Sequence, residues 1–260
     1  MRLIEFKANE AEVHGFLQED YETLKAHKVR PAMIICPGGA YRWRSPREKD
    51  PVAFEFLSMG FQVFILEYSC GEKASGFRPL RELAEAVRTL RARSSEWHID
   101  PEKIAVLGFS AGGHLAASLG VYWNDAELNL GENVRPDAMI LCYPVISTKE
   151  EYAHEESAMW VSGNDPEMMD RMNLHEHVTS DFPPVFMWHG GEDTSVPPEN
   201  SLMLAVQLKK HHVPFEYHLF ETGVHGISTC TQEVETPDAV CRQWVPLCKT
   251  WICRRFRYVP

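Results

Sequence analysis

Gly108-Phe109-Ser110-Ala111-Gly112-Gly113 is the stretch on which the reading of this chain turns. The apolar run 104–107 leads into it, and a segment with helical character, 111–121, leads out of it. A strand therefore ends where a helix begins, with a serine at the junction. So sharp a turn forces strained backbone angles on the serine. Small residues on either side keep neighbouring chain from colliding with it. The hydroxyl is then exposed at the C-terminal end of a strand, and the helix N-terminus behind it favours developing negative charge. This context points to Ser110 as a nucleophile.

Working outward, the runs 32–36, 61–66, 104–107, 138–143, 185–188 and 215–220 read as strands. Segments 48–59, 79–97, 111–121 and 198–211 read as helices. Gly60 stops the first, and Leu80, Leu83, Val87 and Leu90 mark the buried stripe of the second. Asp100-Pro101 reads as a turn. Thr236-Pro237 reads as a helix start, its stripe continuing through Val240, Trp244 and Trp251 until Pro246 kinks or divides it. Strands alternating with helices predict an α/β fold, a mostly parallel central sheet flanked by helices on both faces. With no linker and no repeat, 1–260 reads as one domain. The stretch 147–182, rich in Glu, His and Met, reads either as a surface excursion or as a partial, cap-like insert over a site.

A serine hydroxyl needs a base to take its proton, and that base needs an orienting carboxylate. In this architecture the chain order is serine, then acid, then histidine, each on a loop leaving a strand at one edge of the sheet. After the strand 185–188 comes His189-Gly190-Gly191-Glu192-Asp193-Thr194-Ser195-Val196-Pro197; after 215–220 comes Glu221-Thr222-Gly223-Val224-His225-Gly226. Asp193 is the favoured acid, with Glu192 as its exposed rival. His225, followed by Gly226, is the favoured base over His189 and His218, while His114 reads as structural. Acyl transfer also needs donors already directed at a tetrahedral oxyanion. The backbone N–H of Ala111 is one candidate, and the Pro37-Gly38-Gly39-Ala40 turn offers Gly39, with Ala40 beside it. Tyr41 and Trp43 follow that turn and read either as rim packing or as rings that stack on a substrate.

Composition sets outer bounds. The chain has 260 residues, 44% of them hydrophobic, enough for a core without staples. A net charge of -11 argues against nucleic acid, whose phosphates require a positive field, and gives no attraction to an anionic membrane. The N-terminal MRLIEFKANEAEVHGF lacks the apolar core of a signal peptide, and no stretch is long and apolar enough to span a bilayer, so the expectation is cytoplasmic. Seven cysteines without CxxC spacing read as free thiols, Cys36 and Cys142 as small core hydrophobes. His175-x-His177 and His211-His212 have no partnering cysteine pair, so no metal site is expected.

Four segments in order, ICPGGAY (35–41), GFSAGGHLAASL (108–119), PPVFMWHGGEDTSVPPENS (183–201) and FETGVHGIS (220–228), resemble the α/β-hydrolase superfamily. Within it they are most similar to the acetyl esterase and acetyl-xylan-esterase-like carbohydrate esterases (BD-FAE-like), a group that also resembles hormone-sensitive-lipase-type esterases. Pro37 stands where the lipase-type motif usually has histidine, and the 147–182 insert is smaller than a lipase lid. The resemblance implies a serine esterase without metal or organic cofactor, releasing small acyl groups, acetyl above all, from a small-molecule ester such as an acetylated oligosaccharide. Two rival readings are a serine peptidase of the prolyl-oligopeptidase type, whose gating domain 260 residues would not accommodate, and a non-enzymatic binding protein on the same scaffold. A homo-oligomer is left open.

Overall fold

The computed structural model describes residues 1–19, 29–149 and 151–260; Glu150, inside the 147–182 stretch, lies outside the described residues. The described residues form eight strands: β1 (Arg2–Ala8), β2 (Ala11–Leu17), β3 (Arg30–Cys36), β4 (Gln62–Glu67), β5 (Ile99–Phe109), β6 (Ala138–Cys142), β7 (Val185–Gly190) and β8 (Phe215–Phe220). They form one sheet in the order β1-β2-β4-β3-β5-β6-β7-β8. The β1–β2 and β2–β4 pairings are antiparallel and the others parallel. The helices are α1 (Asp50–Leu57), α2 (Arg78–Ala92), α3 (Ser94–Trp97), α4 (Ser110–Tyr122), α5 (Glu155–Ser162), α6 (Pro166–Arg171), α7 (Glu199–Lys210) and α8 (Trp244–Phe256).

Strand periodicity divides the core in two. Ile34, Val106, Leu141 and Met187 face one way and pack with Leu83 and Val87 of α2, Leu115 and Leu119 of α4, and Leu204 of α7. Their neighbours Ile35, Leu107, Ile140 and Trp188 face the other way, toward Val52 and Phe56 of α1 and Trp244 and Ile252 of α8. Both faces are covered, which is why the central strands are continuously apolar rather than alternating. Cys36 and Cys142 lie fully buried in β3 and β6.

Three local expectations need correction. The Asp100-Pro101 turn is a bulge inside β5: Arg30 pairs with Ile99, and the next partner of β3, Ala32, pairs with Ile104. Thr236-Pro237 starts no helix, because Asp238 Oδ1 accepts the N–H groups of Val240 and Cys241 at 2.9 Å each and holds the chain in a turn. Regular helix begins at Trp244, so Pro246 is the third residue of α8, where its missing N–H has no carbonyl within α8 to reach, and the helix runs undivided to Phe256. The hairpin β1–β2 was not anticipated, although its residues alternate as a half-buried strand should.

The 147–182 stretch is tied down. It carries α5 and α6, capped by the side chains of His154 and Asp165. Asn200 of α7 accepts the N–H groups of Ile146 and Ser147 at 2.9 Å each and donates to the Tyr152 carbonyl at 2.8 Å. No helix among the described residues is long and apolar enough to cross a membrane.

His114 links this stretch to α4. Its Nε2 lies 2.9 Å from the Met172 carbonyl, which can only accept, so the ring proton is there, and Nδ1 accepts from the Tyr41 hydroxyl at 2.9 Å. Burial lowers the His114 pKa to about 4, against an ordinary value near 6.5. Between those values the unfolded chain binds a proton that the folded chain does not, so stability falls as pH drops from 6.5 toward 4. The contribution of this group amounts to about 3 kcal/mol. Chemical denaturation of wild type and His114→Asn across that window should show a shallower pH slope in the variant. Equal slopes would contradict the buried neutral ring.

Candidate active site

The junction of β5 and α4 holds Ser110 at φ 52°, in the left-handed region where a non-glycine residue is strained. The flanking glycines are required by proximity. A Cβ on Gly108 would strike the Gly112 carbonyl, and one on Gly112 would strike the carbonyl oxygens of Cys36 and Pro37. Ser110 Oγ lies 2.8 Å from His225 Nε2, and His225 Nδ1 lies 2.7 Å from Asp193 Oδ2. The carboxylate can only accept, so Nδ1 carries the proton and Nε2 is free to accept from the serine. Chain separations of 115 and 32 residues are closed because β5, β7 and β8 run parallel and end at one edge.

Asp193 is buried and also accepts the N–H groups of Val196 at 2.9 Å and Ser195 at 3.1 Å through Oδ1. Burial alone would raise its pKa. Hydrogen bonds from His189 and His225 and the Val196 N–H outweigh that and hold the carboxyl well below the usual range. Glu192 is exposed. His189 is packed: Nδ1 meets the Ser201 hydroxyl at 2.7 Å, and Nε2 meets the Val196 carbonyl at 2.9 Å and Asp193 at 3.3 Å. His218 stays on β8 beside Glu216, between Phe186 and Phe220.

The turn after β3 carries three successive positive φ values, at Gly39 (125°), Ala40 (55°) and Tyr41 (60°). Such a turn aims backbone N–H groups into a concavity suited to an anion. Gly38 donates its N–H to Glu48 at 2.7 Å, whereas those of Gly39, Ala40 and Ala111 have no protein acceptor among the described residues. Gly39, Ala40, Ser110 and His225 border one cavity of about 840 Å³. Trp43, 54% exposed, also borders it, whereas Tyr41 is 1% exposed and packed between Tyr68 and His114. For Tyr41 the packing reading holds, and its ring offers no face to a ligand.

Residues that border or support this cavity and escaped the sequence include Glu48, Tyr143 and His154. Glu48 is 2% exposed, and its Oε1 accepts from the Tyr143 hydroxyl at 2.7 Å. Ser45 and Glu48 have the S-x-x-E spacing of a helix capping box, a surface motif, and Ser45 makes no such cap. Tyr143 meets the His225 ring edge-on, with centroids 5.1 Å apart. His154 comes from the stretch that sequence periodicity leaves undecided.

Comparison with known proteins agrees with this architecture. The BD-FAE family model matches residues 21–208. Endo-1,4-beta-xylanase B of Butyrivibrio fibrisolvens is 34% identical over 230 residues, which are 85% of this chain and 36% of that protein. An acetylxylan esterase of Xylanibacter ruminicola is 26% identical over 204 residues, 75% of this chain and 40% of that one. The chain thus spans well under half the length of these curated relatives. Among solved structures, an acetyl ester-xyloside bifunctional hydrolase from Caldicellulosiruptor lactoaceticus is 34% identical with a TM-score of 0.85, covering 99% of this chain and 97% of that one. The carboxylesterase Cest-2923 from Lactobacillus plantarum is 25% identical with a TM-score of 0.89, and each chain is covered completely.

If Asp193 fixes the His225 tautomer, Asp193→Asn should retain the fold and lose nucleophilic reactivity. Labelling by a fluorophosphonate should slow on the order of 10³- to 10⁴-fold. Labelling at the wild-type rate would contradict the assigned proton positions.

Proposed function

The chain belongs to the BD-FAE family and has the α/β-hydrolase fold, and from that premise we propose that it is a serine carboxylic ester hydrolase acting on small acyl esters, acetyl esters of carbohydrates foremost. The observation that carries the reading is the continuous hydrogen-bond chain Ser110–His225–Asp193, at 2.8 and 2.7 Å, opening on a cavity. His225 takes the proton of Ser110 through Nε2 as the oxygen attacks the ester carbonyl. Asp193 keeps the opposite proton on Nδ1 and stabilises the imidazolium that forms. The uncommitted N–H groups of Ala111 and of Gly39, with Ala40 beside it, receive the oxyanion, each such donor contributing about 3–4 kcal/mol at the transition state. His225 then protonates the departing alcohol. Water, deprotonated by the same ring, releases the acid from the acyl-enzyme. No metal or organic cofactor enters these steps.

The alcohol preference follows from the rest of the cavity. Its volume of about 840 Å³ far exceeds what an acetyl group fills, leaving room for a saccharide. The exposed Trp43 ring supplies a stacking face, and the carboxylates of Glu156, Glu233 and Glu235 supply acceptors for sugar hydroxyls. The names of the xylan-active relatives support the same substrate class. The peptidase reading draws no comparable support.

A series of 4-nitrophenyl esters of increasing acyl length, run beside acetylated xylo-oligosaccharides, tests the proposal. Acetate should be the best acyl group, the acetylated sugars should be turned over, and Ser110→Ala should lose at least about 10³-fold in kcat. Ester hydrolysis that survives in Ser110→Ala would overturn the mechanism. A preference for long acyl chains would overturn the substrate class.

A further inference from the structure

We propose that Glu48 is a positioning residue for this reaction, setting the oxyanion turn and the histidine loop against Ser110 through the two oxygens of one buried carboxylate. The inference rests on the reading of Ser110 as nucleophile and deepens it. Oε2 accepts the Gly38 N–H at 2.7 Å, the first amide of the turn that carries Gly39 and Ala40. Oε1 accepts the Tyr143 hydroxyl at 2.7 Å. That same hydroxyl accepts the Ser228 N–H at 2.8 Å, three residues beyond His225. Ser228 Oγ donates back to the Arg47 carbonyl at 2.6 Å, so the Glu48 segment and the histidine loop are joined twice. The Tyr143 ring braces the imidazole edge-on, at 68° between planes.

A buried carboxylate is costly unless its lone pairs are filled. Glu48 has no ion-pair partner among the described residues; an amide and a hydroxyl hold it instead. Burial pushes its carboxyl up from the ordinary value, with the bonds from Tyr143 and Gly38 pulling the other way. A carboxylate in so dry a place is a stronger acceptor than any neutral side chain of similar shape. It draws the Gly38 N–H to itself, and this leaves the next amides of the turn uncommitted at the cavity. The geometry also tells against glutamine. Turned one way, its NH₂ opposes the Gly38 N–H; turned the other way, it opposes the Tyr143 hydroxyl and deprives that proton of its acceptor.

Glu48→Gln and Tyr143→Phe, the second of which keeps the ring against His225 but removes the hydroxyl, test the proposal. Two readouts apply: steady-state hydrolysis of 4-nitrophenyl acetate, and the saturable kinetics of fluorophosphonate labelling. Glu82 serves as control. It is a fully buried carboxylate that accepts from the Ser69 N–H and hydroxyl and does not border the cavity. Each test variant should lose about 10- to 100-fold in kcat and in the limiting labelling rate, with KM and the labelling half-saturation changed less than about threefold. Glu82→Gln should lower Tm and leave kcat within about twofold. Should Glu48→Gln fail to fold, Tyr143→Phe decides alone. Loss confined to KM, a kcat within twofold of wild type, or an equal kcat loss in Glu82→Gln would overturn the proposal. A wild-type chain that neither hydrolyses the ester nor is labelled would refute the esterase reading itself, and this inference with it.

Discussion

A serine held at positive φ where β5 meets α4 is the constraint to which the rest of the molecule conforms. Such a conformation persists only when its surroundings over-determine it. Here they do so by contact. Gly108 and Gly112 close against one another, and Gly112 against the carbonyls that end β3. The Gly38 end of the turn after β3 packs beside the Ser110 Cβ. The backbone that strains the serine is therefore also the backbone that brings the N–H groups proposed as oxyanion donors next to it. Fold and chemistry share the same few close approaches.

The loops leaving this edge of the sheet are fastened in a recurring way: a buried polar side chain accepts the backbone N–H groups just past a strand. Glu48 holds Gly38 after β3, Asn200 holds Ile146 and Ser147 after β6, and Asp193 holds Ser195 and Val196 after β7. Two of the three are carboxylates, which gain strength as acceptors in a dry site but are expensive if left unfilled. The arrangement favours rigidity over tolerance. Displacing one loop orphans a buried polar group, so the side chains proposed to react are held in place by the fold itself.

Much of this was legible in the sequence. The parallel strands carry continuous apolar runs because both faces are covered, and Ser110, Asp193 and His225 follow in the order expected of α/β-hydrolases, on loops that parallel strands bring to one edge. Asp193 could be preferred over Glu192 from the shape of its loop, and the two proved to be buried and exposed respectively. What stayed hidden was whatever depends on residues distant in the chain with no motif of their own. Glu48 carries a surface capping signature yet is buried, because Gly38 and Tyr143 outcompete Ser45 for its oxygens. The helix start at Thr236-Pro237 was misread because a short turn on Asp238 sets the local backbone, and Asp100-Pro101 was misread because its local turn is absorbed as a bulge within β5.

If the Ser110 hydroxyl is the nucleophile, turnover passes through a covalent acyl intermediate on it. Acid-quenching the protein during turnover of 4-nitrophenyl acetate, followed by peptide mass spectrometry, should find an acetyl group on the peptide containing Ser110, formed before steady state and absent from His225→Ala. Turnover with the acetyl group on another residue, or with no covalent adduct at any quench time, would rule out Ser110 as the nucleophile.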